Sequence, residues 1–179
     1  NFKLHGSAKS STGVSKFGSD PTIYFDGTDD GIEISNNPLT LFPADFTIEG
    51  WYYVTEVNTQ ESSKWRTIWF CGTGTDLQLA WDESNSKLVV YHDSTLITSA
   101  TATSLNTWEH VVVQRAHGLL KLYLNGNEVG SVANTAVLGN YSNNSWIGSY
   151  SATEGSMNGY LSDLKLTNGE AKYPFKPLK

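Results

Sequence analysis

Residues 45 to 54 read Asp45-Phe46-Thr47-Ile48-Glu49-Gly50-Trp51-Tyr52-Tyr53-Val54. Side chains of an extended chain alternate between two faces, so Phe46, Ile48, Gly50, Tyr52 and Val54 share one face and Thr47, Glu49, Trp51 and Tyr53 the other. Both faces carry aromatic rings. That pattern suits a strand in the middle of a sheet that packs inward and has a second, partly covered face, as in a two-layer sandwich.

The same period of two extends outward from this stretch, and no helical stripe of two or more turns interrupts it. Strands are predicted at 22–25, 31–35, 45–54, 67–71, 76–81, 87–92, 95–99, 108–115, 119–125, 128–132, 145–149 and 159–167. Asn125-Gly126, set between Leu120-Lys121-Leu122-Tyr123-Leu124 and Glu128-Val129, is the strongest hairpin signal, because both central residues of the favoured two-residue turn need positive φ. Glycine or asparagine separates other runs at Gly72, Gly74, Asn85, Gly118 and Gly139. Proline is confined to positions 21, 38, 43, 174 and 177, leaving 44–173 free to form continuous sheet. A dozen short strands imply an all-β sandwich or barrel. The expectation is one domain over 1–179, with 1–20, small, polar and weakly patterned, as a linker-like N-terminal segment.

Composition narrows the function classes. Six Trp, nine Tyr and seven Phe supply bulky side chains to one core, while Ser, Thr and Asn dominate the polar remainder and favour turns. The formal charge of −6 and the sparse lysines of the tail 172–179 argue against nucleic acid as a partner. No run approaches the roughly 18 apolar residues of a membrane span, so no membrane insertion is expected. Residues 1–30 lack the order of a signal peptide, but the chain opens with Asn1, and a processed or excised chain would show the same. Cys71 is the single cysteine, which excludes an internal disulfide, and its apolar run Thr67-Ile68-Trp69-Phe70-Cys71 marks it as a small buried hydrophobe.

The order Ser15-Lys16-Phe17-Gly18, Ile23-Tyr24-Phe25-Asp26-Gly27-Thr28-Asp29-Asp30 and Asp45-Phe46-Thr47-Ile48-Glu49-Gly50-Trp51 resembles the opening of a laminin-G-like, concanavalin-A-like domain. Asn106-Thr107-Trp108-Glu109-His110, Leu122-Tyr123-Leu124-Asn125-Gly126, Ile147-Gly148 and Gly159-Tyr160-Leu161-Ser162-Asp163-Leu164 continue the likeness in the same order. The resemblance implies a two-sheet antiparallel jelly-roll sandwich. The closing Asn168-Gly169-Glu170-Ala171-Lys172-Tyr173, with Phe175 and Pro177, is similar to a variant common in structural proteins of bacteriophages. It implies a binding or display module on a virion, decoration or tail-fibre in type, with cell-surface polysaccharide or other virion proteins as partners and a homo-oligomer as a compatible state. The alternative setting is extracellular, as a carbohydrate-binding module of a secreted bacterial enzyme or adhesin.

Catalysis finds little support. Glycosidases need two carboxylates about 5 to 5.5 Å or 6.5 to 9.5 Å apart. The retaining glucanases of this fold carry them as E-x-D-x-E or E-x-D-x-x-E on one strand. No Glu here is followed two residues on by Asp; Glu49 with Trp51 and Asp76 with Gln78 are the nearest imitations. No G-x-S-x-G elbow, H-x-x-x-H, C-x-x-C or phosphate-cradling glycine loop occurs, and His5, His92, His110 and His117 share no spacing.

Glycan recognition needs aromatic faces beside amides and carboxylates. Alternation in 76–82 groups Leu77, Leu79 and Trp81 against Asp76, Gln78 and Asp82, and the second set is placed on a wet sheet face with Tyr91 and Asp93 beside it. Trp65, Tyr141 and Tyr150, among polar neighbours, are the loop candidates. Each of these aromatics also has a plain packing role available to it. The loop Asp26-Gly27-Thr28-Asp29-Asp30-Gly31 imitates the start of an EF-hand, but position 12 is Asn37 and the flanks are strands. Relatives of this fold hold a calcium near such a loop, which implies one structural Ca²⁺ on Asp30 and Asp163; the competing reading is that these acids cap turns. Sequons at Asn140 and Asn143 match the N-glycosylation pattern, which arises by chance in a chain so rich in Ser and Asn.

Overall fold

Fourteen strands form in chain order: β1 Phe2–His5, β2 Lys9–Ser11, β3 Thr22–Asp26, β4 Gly31–Ile34, β5 Phe46–Val54, β6 Trp65–Cys71, β7 Gln78–Asp82, β8 Lys87–His92, β9 Ser94–Thr98, β10 Glu109–Ala116, β11 Leu119–Leu124, β12 Asn127–Ala133, β13 Ser145–Ile147 and β14 Asn158–Asn168. The structure is a computed structural model, and it describes residues 1–35, 44–57, 64–71, 77–136, 138 and 144–173. Two seven-stranded antiparallel sheets result. The first runs β1-β4-β13-β6-β7-β8-β9 and the second β12-β11-β10-β5-β14-β3-β2.

The alternation in residues 45–54 has the outcome expected of it. Phe46, Ile48, Tyr52 and Val54 enter the core, and β5 lies at the centre of the second sheet between β10 and β14. From the first sheet Trp69, Leu79, Trp81, Leu88 and Val90 join the same core. Cys71 is buried with them, as its apolar run implied.

The Asn125-Gly126 hairpin forms as read. Leu124 pairs with Asn127, and φ is 50° at Asn125 and 80° at Gly126, the two positive values a type I′ turn requires. Asn125 also ties this turn to β10, its Oδ1 accepting from the His110 N–H at 2.8 Å.

The opening segment departs from the linker-like expectation. Phe2–His5 pairs with β4 and Lys9–Ser11 with β3, so the first dozen residues add an edge strand to each sheet. Backbone pairing at an edge requires no apolar periodicity, and Phe2 and Leu4 remain exposed, which explains why the alternation there was weak. Among the described residues no helix is long and apolar enough to cross a membrane.

Two polar pairs are buried among the strands. Arg66, 1% exposed, reaches Glu83 through Nε and Nη2, both at 3.1 Å. Tyr52 donates to Glu109 Oε2 at 2.8 Å, and burial first, then the Glu109 charge, pushes its phenol pKa far upward.

Candidate binding face on the first sheet

Leu79, Trp81, Leu88 and Val90 point to the core, so Gln78, Ala80, Asp82, Val89 and Tyr91 occupy the outer face of the first sheet. Strand register aligns that face into rows. One row crosses the whole sheet as Lys3, Glu33, Trp146, Phe70, Gln78, Tyr91 and Thr95. Beside it lie Thr67, Ala80 and Val89, and then Trp65, Asp82 and Lys87.

This register brings together four of the residues singled out by sequence. Trp65 packs edge-on against Tyr91, ring centroids 5.4 Å apart. Gln78 Nε2 donates to Thr67 Oγ1 at 2.7 Å, which fixes the amide. Tyr91 donates its hydroxyl to Asp93 O at 3.1 Å. Asp82 accepts from Ser84 N–H and Asn85 Nδ2 at 2.9 and 3.0 Å, so its carboxylate also shapes the β7–β8 turn.

Tyr150 reaches the same face from the β13–β14 connection. That segment is pinned to β6, because Gly148 N–H donates to Ile68 O and Thr67 N–H donates to Gly155 O. Tyr150 is thereby held over Phe70 at 4.5 Å between ring centroids. Gly148 is needed for the approach: its φ is 77°, and a side-chain carbon there would meet the Phe25 ring at 2.2 Å.

Two expectations need correction. Trp65 opens a strand, where a loop had been expected, since β6 begins two residues earlier than its apolar run. Gln78 was placed on a wet face, but it is 5% exposed, covered together with Phe70 and Thr67. Tyr141 and Asp76 lie outside the described residues.

The row also contains residues that sequence reasoning passed over. Phe70 read only as part of an apolar run. Glu33 Oε2 lies 2.7 Å from His5 Nε2, its Oε1 accepts from Asn144 Nδ2, and His5 packs on Trp146 at 4.8 Å. The signal available for this group was the alternation in 31–35; its partners come from β1 and β13, which only the fold supplies.

The two acids proposed for calcium are placed differently. Asp26, Asp29 and Asp30 bring one carboxylate oxygen each within 4.8 Å of one another. Asp30, fully buried, accepts from Ser7 N–H at 2.5 Å and Asp26 N–H at 2.6 Å, as a turn-capping carboxylate does. Asp163 is not in that group. It lies in the β14 bulge, with φ 52°, and accepts from Lys165 Nζ at 2.7 Å.

A family model described as the Concanavalin A-like lectin/glucanases superfamily matches residues 26–171. The chain belongs to this superfamily. Its match takes in β4 to β14, which supply strands to both sheets, and the jelly-roll sandwich implied by the sequence is the fold observed. By sequence alone, none of the curated proteins matches the chain.

Among solved structures, domain 4 of AbnA, a GH43 extracellular arabinanase from Geobacillus stearothermophilus in complex with arabinotriose, superposes with a TM-score of 0.68 at 15% identity. The match covers 96% of this chain and 84% of that one. The binding domain of Paraclostridial Mosquitocidal Protein 1 gives 0.71 at 16% identity, covering 97% of this chain and 45% of that one. The botulinum neurotoxin serotype D binding domain gives 0.67 at 14% identity, covering 95% and 44%. The chain thus spans less than half of each toxin binding domain, and likeness at these identities speaks for the fold alone.

Proposed function

We propose that this superfamily member is a non-enzymatic binding module that takes a glycan on the outer face of its first sheet. The observation that carries the reading is the convergence of Trp65, Tyr91, Tyr150, Asp82 and Trp146 on that one face, over a buried floor of Phe70, Thr67 and Gln78. Rings offer apolar faces to sugar C–H groups, while the Asp82 carboxylate gives direction to hydroxyls. The AbnA domain in complex with arabinotriose supports a saccharide ligand on this fold, and the toxin domains support a binding role.

The E-x-D-x-E and E-x-D-x-x-E patterns of the retaining glucanases of this fold are absent from the sequence, which supports the non-enzymatic reading. The setting we propose is a phage virion, with cell-surface polysaccharide or other virion proteins as partners; it rests on the closing stretch Asn168 to Tyr173. A carbohydrate-binding module of a secreted enzyme is the second reading, favoured by the AbnA likeness. We further propose one structural Ca²⁺, held by Asp26, Asp29 and Asp30 and not by Asp163.

A glycan array with the unmodified chain and with Tyr91→Ala and Trp65→Ala tests the surface. Binding that falls about tenfold in either variant, a loss of roughly 1.4 kcal/mol, is the expected result. Undiminished binding in both would remove this face from consideration. Hydrolysis of a bound glycan would overturn the non-enzymatic reading.

A further inference from the structure

The second sheet also has an outer face, and the chain covers much of it with its own segments. Thr47, Glu49 and Gln114 lie beneath residues 170–173, and Trp51 lies beneath Lys16 and Phe17, with Lys16 Nζ 3.9 Å from the Trp51 ring centroid. Beyond these covers, one register level carries an aromatic residue on each of four adjacent strands or at a strand's end. Tyr24 on β3 pairs with Tyr160 on β14, which pairs with Tyr53 on β5; Trp108, immediately before β10, follows at the level of Tyr53.

Ring centroids step along this ladder at 5.0, 5.8 and 5.5 Å. All four residues are half-buried, so each keeps part of its ring open. Three inter-strand steps make the ladder about 14 Å long. Sequence reasoning explained Tyr53 as one member of an alternating strand and gave Tyr24, Trp108 and Tyr160 no site role.

A polar row runs alongside. Asp26 pairs with Asn158 two residues from the Tyr24–Tyr160 pair, hence on the same face. Thr55 donates to Asn158 Oδ1 at 2.7 Å, and Asn158 Nδ2 donates to Glu56 Oε1 at 3.0 Å. The phenol pKa of Tyr24 is raised, by burial first and then by Tyr160, Asp26, Asp30 and Glu56, which agrees with carboxylates standing close to the ladder. Lys9 reaches its far end, 5.7 Å from the Tyr24 ring centroid.

We propose that the ladder Tyr24–Tyr160–Tyr53–Trp108, with its row Asp26–Asn158–Thr55–Glu56, is a second saccharide-binding surface, and that its occupant is a neutral polysaccharide chain. The rings provide an apolar strip, and the carboxylates of Asp26 and Glu56, the latter held by the buried Asn158, provide acceptors for hydroxyl protons. Glu56 and the acidic loop of Asp26, Asp29 and Asp30, which keeps a net negative charge even with one Ca²⁺ bound, oppose uronates, sulfated sugars and phosphates. A strip about 14 Å long spans more than one sugar ring and suits the interior of a chain. Two surfaces on opposite sheets make the module bivalent, so that one polymer strand on each face raises avidity without new contacts.

This inference extends the reading above and fails separately from it. The experiment is affinity electrophoresis of the whole chain through gels containing arabinan, galactan, mannan or β-glucan, with polygalacturonate as the anionic comparison. Retardation by at least one neutral polymer is expected, and none by polygalacturonate. Trp65→Ala/Tyr91→Ala, which removes the first surface, retains part of the retardation, whereas Tyr53→Ser/Tyr160→Ser weakens it about tenfold in that background.

Full retention by the first-surface variant together with loss in the ladder variant would sink the first surface and keep the second. Full retention by the ladder variant, complete loss in the first-surface variant, or retardation by the anionic polymer alone overturns the proposal. Should the ladder variant fail to fold, the indole N–H resonances of the unmodified chain decide. Assigned by Trp108→Phe, the Trp108 signal shifts when the retarding polymer's oligosaccharide is added, and a fixed signal overturns the idea. A ladder variant that keeps its retardation but turns a dimer into a monomer assigns the ladder to a second copy of the chain.

Discussion

Gln114 and Tyr173 are joined by two hydrogen bonds that imitate one rung of a β-ladder: the Gln114 Nε2 amide donates to Tyr173 O at 2.6 Å, and Tyr173 N–H donates to Gln114 Oε1 at 2.7 Å. Thr47 completes the clasp, donating to Glu170 O at 3.0 Å and accepting from Lys172 N–H at 3.0 Å. Gln114 is fully buried, so these amide groups are desolvated and depend on each other. Gln114→Ala is expected to cost about 1 to 3 kcal/mol and to release residues 170–173. Hydrogen exchange at the Tyr173 amide, rising well before global unfolding, checks this.

The same segment has a pH dependence. Burial raises the Glu49 pKa, but hydrogen bonds from Lys172 and Tyr173 outweigh it and hold the carboxyl below the ordinary glutamate value. His110, packed on Trp51, is also lowered, by burial first, against the raising pull of Glu49. Both groups bind protons more weakly folded than unfolded, so stability is fully present above their unfolded pKa values and declines as pH falls through the folded ones. Melting temperature is therefore expected to drop from neutral pH toward pH 4, and His110→Gln with Glu49→Gln should flatten the slope.

Arg66 and Glu83 make a different test, because both side chains are 1% exposed. Glu83→Ala removes the carboxylate from a buried guanidinium and is expected to cost about 3 to 5 kcal/mol. Replacing both partners by methionine should cost much less, since no buried charge is left over. Denaturant melts of the two variants beside the unmodified chain read this directly.

Gly148→Ala is expected to destabilise by more than the ~1 to 2 kcal/mol that a side chain at left-handed φ costs by itself. The new methyl would meet Phe25, itself fully buried, in addition to the strain of a positive φ. Because the same segment holds Tyr150 over Phe70, glycan retention should fall with stability, and the near-ultraviolet dichroism of the aromatic residues should change.

Calcium titration tests the proposed ion at Asp26, Asp29 and Asp30. A bound ion raises the melting temperature by mass action, and Asp29→Asn should reduce that rise while Asp163→Asn leaves it intact. Absence of heat and of any thermal shift would end the idea.

Alternation in residues 45–54, 76–82 and 87–92 made the strands, their core faces and the grouping of Gln78 with Asp82 legible, because a pleated chain puts every second side chain on one side whatever surrounds it. The hairpin at Asn125-Gly126 was equally local. The sequence did not reveal that Trp65 and Tyr150 would meet this face, since a strand end and a connecting segment have no period to read.

By itself, then, the sequence determined which residues face inward, where the hairpin turns and that the sandwich belongs to a lectin-like family. Only tertiary structure decided that residues 2–11 would close both sheets, that Glu33 would find His5 and Asn144, and that Tyr24, Tyr53, Trp108 and Tyr160 would share one level. Those relations depend on which strands become neighbours and in what register, and register is set by long-range packing that no short window of residues contains.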